Sequence, residues 1–549
     1  MAGIRRWLGL VGLHGIFVVW LTWPLAARLT TSYPQTRNVS EADIFLSAWV
    51  LAFESHALVT DPARLLDTNI YYPTPHPLFF GLTFFGVLPI FAPVFWASGN
   101  ATLAVNVVFL VGLALTSAAL HWVVWRWTAS HLAGIVAGST FLLSRWVIWW
   151  FVPTSPPYGA LWWIPLIVYL VARPLATWRA ALAVLGPLVL QALTDLVFVA
   201  GAVLGSVTVV AVGRVLRPST RAAGLRLLAV VGLAVVVLSP VYAGYADVRL
   251  REPGLATQSV WLRLRSVTEV PFGLVAENAP MSVPHLTWIV IALGAGLIAA
   301  RRRTAGAPAF AWRHATLWVA VGAVLSVDFA AIPGVGVFRM PLYAALAPFG
   351  ISVILRMPAR FAVGALIGTS LLAGLASAEL FRRIQGRGGR IAHVGPALAA
   401  LLIVGLMYRQ CRSDGTVPDV YPVRPTLRAS PITEALRAGT GPVLELPIGS
   451  SDAAAARLHS IAMLRSTHHW RPLLNGYASY YPAAFRTRME LARRLPDPDA
   501  LRALRETIGL AHLVVNLAGF PPAERAAWTQ AALRAGSGLR PVARDANMV

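Results

Sequence analysis

The chain has 549 residues, of which 57% are hydrophobic and 13% charged, with a mean hydropathy of +0.64 and a formal net charge of +23. A soluble globular protein carries charge on about a quarter of its residues, so this composition excludes a soluble enzyme and predicts a polytopic α-helical membrane protein. The arginines stand in short clusters between apolar segments, a pattern that orients membrane helices and argues against nucleic acid, and the single cysteine, Cys411, leaves no disulfide, thiolate cluster or C-x-x-C pair.

A membrane-spanning helix needs about 20 mostly apolar residues. Segments of that kind lie near 7–26, 102–125, 132–151, 159–172, 180–194, 196–213, 224–243, 286–300, 315–332, 361–381 and 391–409, about eleven spans in a transmembrane domain over 1–410. The first has Arg5 and Arg6 ahead of it, as a signal peptide would, but it is long enough to span and lacks a small-residue cleavage site, so it reads as a retained helix. All six arginine clusters fall on the cytoplasmic side only if 78–97, which contains Pro89 and Pro93, lies at the outer face as an interfacial or re-entrant piece. The N-terminus is then cytoplasmic, and the first loop (26–101) and everything after the last span are extracytoplasmic. This parity requires a hairpin at Thr194-Asp195; one long tilted helix over 180–213 would reverse it downstream.

The first outer loop is where acid collects: Glu41, Asp43, Glu54, Asp61 and Asp67, followed by His76 between two prolines. Asp43 stands near the start of a helix expected over 42–58. A carboxylate at that interface is placed to act as a general base or to hold a divalent cation such as Mg or Mn. The alternative is that Ser40, Glu41 and Asp43 cap and charge the first helical turn, and Asp61 and Asp67 read as turn and cap residues. A second outer loop, 244–285, carries Asp247, Glu252, Glu269 and Glu277. A third, 333–360, ends in R-M-P-A-R-F, where Arg356 and Arg360 are placed at headgroup depth and suited to bidentate phosphate binding. Asp195, inside an apolar run, either caps a turn or lines a polar cavity.

From about residue 411 to 549 the composition turns mixed and polar, with strand-like runs at 441–447 and 511–516 between helical stretches at 483–495 and 521–535. Alternation of this sort predicts a small soluble α/β domain, and roughly 130 residues is long enough to bury a core. Within it, R-S-T-H-H-W-R-P-L-L-N-G-Y (465–477) places His469, Trp470, Arg471, Asn475 and Tyr477 close together, aromatic faces beside hydrogen-bonding groups, a combination suited to saccharide. A loop packed on the domain's own core is the alternative. Walker A, G-x-G-x-x-G, H-E-x-x-H and G-x-S-x-G motifs are all absent, which leaves nucleotide hydrolysis, dinucleotide redox and zinc-protease chemistry without a basis.

The order of first helix, acidic loop, D-P-A-R-L-L-D-T-N-I-Y-Y-P-T-P, R-M-P-A-R-F-A-V, V-L-E-L-P and H-H-W-R-P-L-L-N-G-Y resembles bacterial multispanning membrane proteins of the GT-C glycosyltransferase type over most of the chain. The resemblance implies a polyprenyl-phosphate-linked sugar donor, a saccharide or lipid acceptor, an outer-face site on the bacterial inner membrane, and a base or metal-binding carboxylate in the first loop, the position Asp43 matches. Arg356 and Arg360 are then the donor-phosphate residues, with Glu41, Glu54, Asp67 and His76 in support. The chain departs from the pattern at Phe80-Gly81-Leu82, where relatives often have a Ser-Glu pair, and in having a single acid at Asp43. A flippase for lipid-linked saccharide is the rival reading and would be expected to carry paired broken helices, whereas the sequence marks one break. A non-catalytic envelope-assembly scaffold is the third, and it would tolerate loss of Asp43.

Overall fold

A computed structural model describes the whole chain except residues 1, 36–40, 150, 196, 253, 255–267, 270–281, 301–308, 333–335, 347–357, 428, 450, 535–537 and 547. Arg356 and Glu277 therefore lie outside the described residues.

Five helices are long and apolar enough to cross a membrane: Glu41–Thr60, Ala101–Thr128, Pro218–Arg251, Pro358–Gln385 and Gly389–Ser413. A sixth is added if His131–Leu142 and Arg145–Thr154, bent by 53° at their junction, form one broken span. That bend is a second break, one the sequence did not mark. The other expected segments fall on shorter apolar helices, among them Trp163–Ala172, Phe198–Val215, His285–Ala299 and Ala309–Leu325. The last ends earlier than its apolar run because residues Phe329–Ile332 leave the helix and pair as a strand with Gly336–Arg339. At Thr194-Asp195 the helices Leu185–Ala192 and Phe198–Val215 separate and pack against each other, as a hairpin requires. The piece after the Pro-rich run forms only Leu88–Ser98, 11 residues with Pro93 inside. At about 1.5 Å per residue that is far short of a 30 Å hydrocarbon layer.

Helix Glu41–Thr60 is a special case. Its length and hydropathy fit a span, yet it packs against Leu88–Ser98 and Ala101–Thr128 on one side and against helix Asp452–Ser466 of the C-terminal segment on the other. Fourteen of its residues are buried, so it is a wedge between the bundle and the segment after the last span.

That C-terminal segment has two parallel strands, Val443–Leu446 and His512–Val515, with helices Pro431–Ala438, Asp452–Ser466, Ala483–Arg493, Pro498–Ile508 and Pro522–Leu533 among the described residues. Its apolar core is continuous with that of the first loop: Ile70, Tyr71, Phe79 and Phe80 share one cluster with Leu444, Leu473, Tyr480 and Phe485. A short antiparallel pairing, Ser32–Pro34 with Val423–Pro425, closes the same seam. The first loop and the C-terminal segment therefore occupy one end of the molecule.

Candidate active site

Asp43 stands one turn into helix Glu41–Thr60, half-buried, and its Oδ1 accepts a 2.7 Å hydrogen bond from the Tyr477 hydroxyl of the C-terminal segment. One turn further on, the Ser47 hydroxyl lies 2.8 Å from that of Ser155. Ser155 precedes the turn Pro156–Gly159, whose two prolines fix its first positions and present Tyr158. Tyr158 is fully buried and forms the hub of the site. Its hydroxyl donates to Asp195 Oδ2 at 2.7 Å and accepts from Arg360 Nη1 at 3.0 Å.

Each partner of Tyr158 is fixed in turn. Asp195 is completely buried, and its Oδ1 accepts from the backbone N–H groups of Val197 and Val199, capping the helix that follows the break. Of the two readings of Asp195, cap or cavity-lining group, the backbone bonds show the cap, and the second oxygen goes to Tyr158. The Arg360 guanidinium sits over the rings of Phe151 and Tyr158 at 5.0 and 5.4 Å, a cation–π geometry. Helix Glu41–Thr60 packs against both Phe151–Thr154 and the turn Pro156–Gly159, which puts the first-loop acid and the helix-break acid in one neighbourhood.

The expected supporting residues divide. Glu41 forms ion pairs with Arg424 and Arg457 and so ties the start of its helix to the C-terminal segment. Glu54, with no exposed surface, accepts from the Phe84 N–H at 3.2 Å and braces the loop beneath the site. Asp67 and His76 pair with each other: Asp67 Oδ1 accepts from the His76 backbone N–H at 2.9 Å and lies 3.1 Å from its Nδ1.

Of the five residues expected to hold saccharide, Tyr477 is the one brought to Asp43. Asn475 bonds both backbone polar groups of Glu445, and its amide lies 3.2 Å from His459 Nδ1. Arg471 donates to the carbonyls of Leu436 and Arg437 at the end of helix Pro431–Ala438. His469 accepts from the Arg471 N–H, and burial followed by neighbouring positive charge pushes its pKa down to about 3. Trp470 stacks on His56 with ring centroids 4.2 Å apart and planes 5° apart. Glu445 pairs with Arg465; burial pushes its pKa up and the guanidinium counters it.

Sequence reasoning missed Tyr158, Tyr245 and Arg249. The Arg249 guanidinium lies 4.1 Å over the Tyr480 ring, and the Tyr245 hydroxyl donates to the Gly81 carbonyl at 3.1 Å. Tyr480 N–H donates to the Phe80 carbonyl at 3.0 Å. Phe80-Gly81-Leu82 is therefore a junction of three elements, and a Cβ on Gly81 would touch Ala478 at 3.4 Å. The P-P-Y-G turn was the available signal for Tyr158, since a tyrosine fixed by two prolines inside an apolar run needs a partner for its hydroxyl. Among the described residues no group of three or more His, Cys, Asp or Glu side chains is placed to hold a metal.

No protein-family model and no curated protein matches the chain. Among solved structures it is similar to the arabinofuranosyltransferase AftD from Mycobacteria, with a TM-score of 0.54 and 17% identity over 93% of this chain. The alignment spans 35% of that longer protein. ArnT from Cupriavidus metallidurans in the apo state aligns over 96% of this chain and 95% of its own, at 13% identity and a TM-score of 0.35, which is too low to carry weight. The bundle, the wedge helix and the C-terminal segment packed on it thus make this chain a multi-pass membrane protein whose fold is similar to that of the arabinofuranosyltransferase AftD.

Proposed function

We propose that the chain is a membrane glycosyltransferase that moves a sugar from a polyprenyl-phosphate donor to a saccharide or lipid acceptor at the outer face of the bacterial inner membrane. The observation that carries this reading is the Asp43 carboxylate, bonded by Tyr477 and set beside the Arg360–Tyr158–Asp195 cluster where bundle and C-terminal segment meet.

In the reaction the acceptor oxygen forms a bond to the anomeric carbon as the bond from that carbon to the phosphate oxygen breaks. Asp43 takes the acceptor's proton, and the Tyr477 hydrogen bond keeps its second oxygen turned to the substrate. Arg360 stabilises the charge that grows on the departing polyprenyl phosphate, with Arg356 assigned the same task. Tyr158 and Asp195 do not touch substrate in this scheme; they hold the guanidinium at a fixed angle. Every step in this scheme falls on the chain's own residues.

The experiment is Asp43→Asn, which keeps side-chain shape and capping ability and removes the base. Transfer from a polyprenyl-phosphate-linked sugar is expected to fall by roughly 10²–10⁴, the usual contribution of a positioned acid or base, with insertion and folding unchanged. Activity within a few-fold of wild type would move the base elsewhere. If Arg360→Ala also transfers normally, the glycosyltransferase reading fails.

A further inference from the structure

Three histidines outside this site form one hydrogen-bonded chain. His14 on helix Ala2–Leu21 has its Nε2 3.0 Å from Nδ1 of His121, and His121 Nε2 lies 3.1 Å from Nδ1 of His131. The rings meet edge to face, with centroids 5.3 and 5.4 Å apart. His14 and His121 are 2% and 1% exposed, while His131, stacked on Trp125, opens to the surface.

The neighbouring helix is shaped to receive these rings. His131, Gly134 and Gly138 lie on one face of His131–Leu142, at i, i+3 and i+7. A Cβ on Gly134 would fall 2.2 Å from His121 Cδ2, and one on Gly138 would fall 2.5 Å from His14 Cε1. Only glycine admits both imidazoles.

Helix Ala101–Thr128 starts at the end where the C-terminal segment sits, since Thr102 bonds Thr426 and Asn100 bonds the Thr30 carbonyl. His121, twenty positions along that helix, is on the order of 30 Å from that end and about 7.5 Å along the axis beyond Thr116, whose hydroxyl donates to the Gly159 carbonyl beside Tyr158.

Proton counting gives the chain its property. A neutral imidazole has one N–H and one bare nitrogen. Three neutral rings hold three protons, of which two fill the gaps and the third sits at an end, on His14 Nδ1 or His131 Nε2. A proton taken up at His131 Nε2, a shift of both bridging protons toward His14, and release of the proton on His14 Nδ1 together carry one proton through the chain without breaking either bond. A fourth proton is also accommodated, with both ends then protonated. A fifth places two N–H groups in one gap and opens it.

We propose that His14, His121 and His131 form a proton-exchange relay, taking up a proton at exposed His131 and presenting it at His14 inside the bundle. The elements packed around the relay carry Arg5 and Arg6 on the first helix, Arg126 beside Trp122 and Trp125, Glu379 paired with Arg382, Arg383, and Arg390, His393, Arg409 and Arg412 on the last helix. The charges that act on His121 are those of His14 and His131.

The test uses the full chain, ¹⁵N-labelled at histidine, in lipid nanodiscs. Wild type is expected to show two nitrogen–nitrogen couplings across hydrogen bonds, and the three rings are expected to respond together to the first proton bound. His131→Asn keeps the His14–His121 coupling and slows solvent exchange of the His14 N–H by ten-fold or more. Gly134→Ala removes the coupling between His121 and His131. Three independent titrations without coupling in wild type would overturn the relay, as would unchanged His14 exchange in His131→Asn, or a single zinc-bound set of signals on adding zinc.

Discussion

The Tyr477 hydroxyl bonds one oxygen of Asp43, and a hydrogen bond to a charged group contributes about 1.5–3 kcal/mol. If that energy goes into orienting the carboxylate, Tyr477→Phe lowers turnover by roughly ten- to a hundred-fold, since about 1.4 kcal/mol is one factor of ten. The melting temperature should barely move, because the ring keeps its packing. A steady-state assay beside a thermal melt separates the two effects, and loss of stability without loss of turnover would make the bond structural. Both members of this pair were legible in the sequence, Asp43 as a first-loop acid and Tyr477 as one of a row of polar aromatic groups. Their contact was not, because 434 positions separate them and no periodicity reaches that far. Asn475 and Arg471 show the converse limit. Their residue types fit a sugar site, and only the backbone conformation reveals that their polar atoms complete the C-terminal segment's own carbonyls and N–H groups.

Helix Glu41–Thr60 was legible from its apolar run and its acidic start, but not its surroundings. A helix buried on nearly every side reads the same whether its neighbours are lipid, bundle or another domain. Here one neighbour is helix Asp452–Ser466, on which His459 is buried and its pKa pushed down to about 3, first by burial and then by the charge of Arg493. His469, just beyond that helix, is pushed equally low. A histidine that binds its proton more weakly when folded contributes stability that is fully present above its ordinary value of 6.5 and is lost as pH falls toward 3. The C-terminal segment should therefore loosen from the wedge helix across that interval. Intrinsic fluorescence melts of the detergent-solubilised protein between pH 7.5 and 4 should show a falling midpoint, with a shallower slope in His459→Gln. A flat profile in wild type would show that these histidines are solvated.

At the scale of the whole molecule, the strand pairing of Ser32–Pro34 with Val423–Pro425 and the continuous core behind it place the first loop and the C-terminal segment together. A topology reporter inserted near residue 60 and another fused after residue 410 should report the same side of the membrane, the outer one. Opposite signals would break the parity drawn from the arginine clusters. The sequence made the element order and this shared side legible through apolar run length and arginine placement. It left the spans uneven, because helices such as Leu185–Ala192 are held by packing and a capped break rather than by an apolar length of their own.

The bond between Asp43 and Tyr477 also sets a schedule. Ribosomes add about 5–20 residues per second, so the 434 positions between the two take roughly 20–90 s to synthesise. Throughout that interval the acidic loop stands without the tyrosine that bonds its carboxylate or the apolar surface that covers it. A chain that stops short of Tyr477 therefore lacks this bond and leaves the apolar faces of Ile70, Tyr71, Phe79 and Phe80 without their cover.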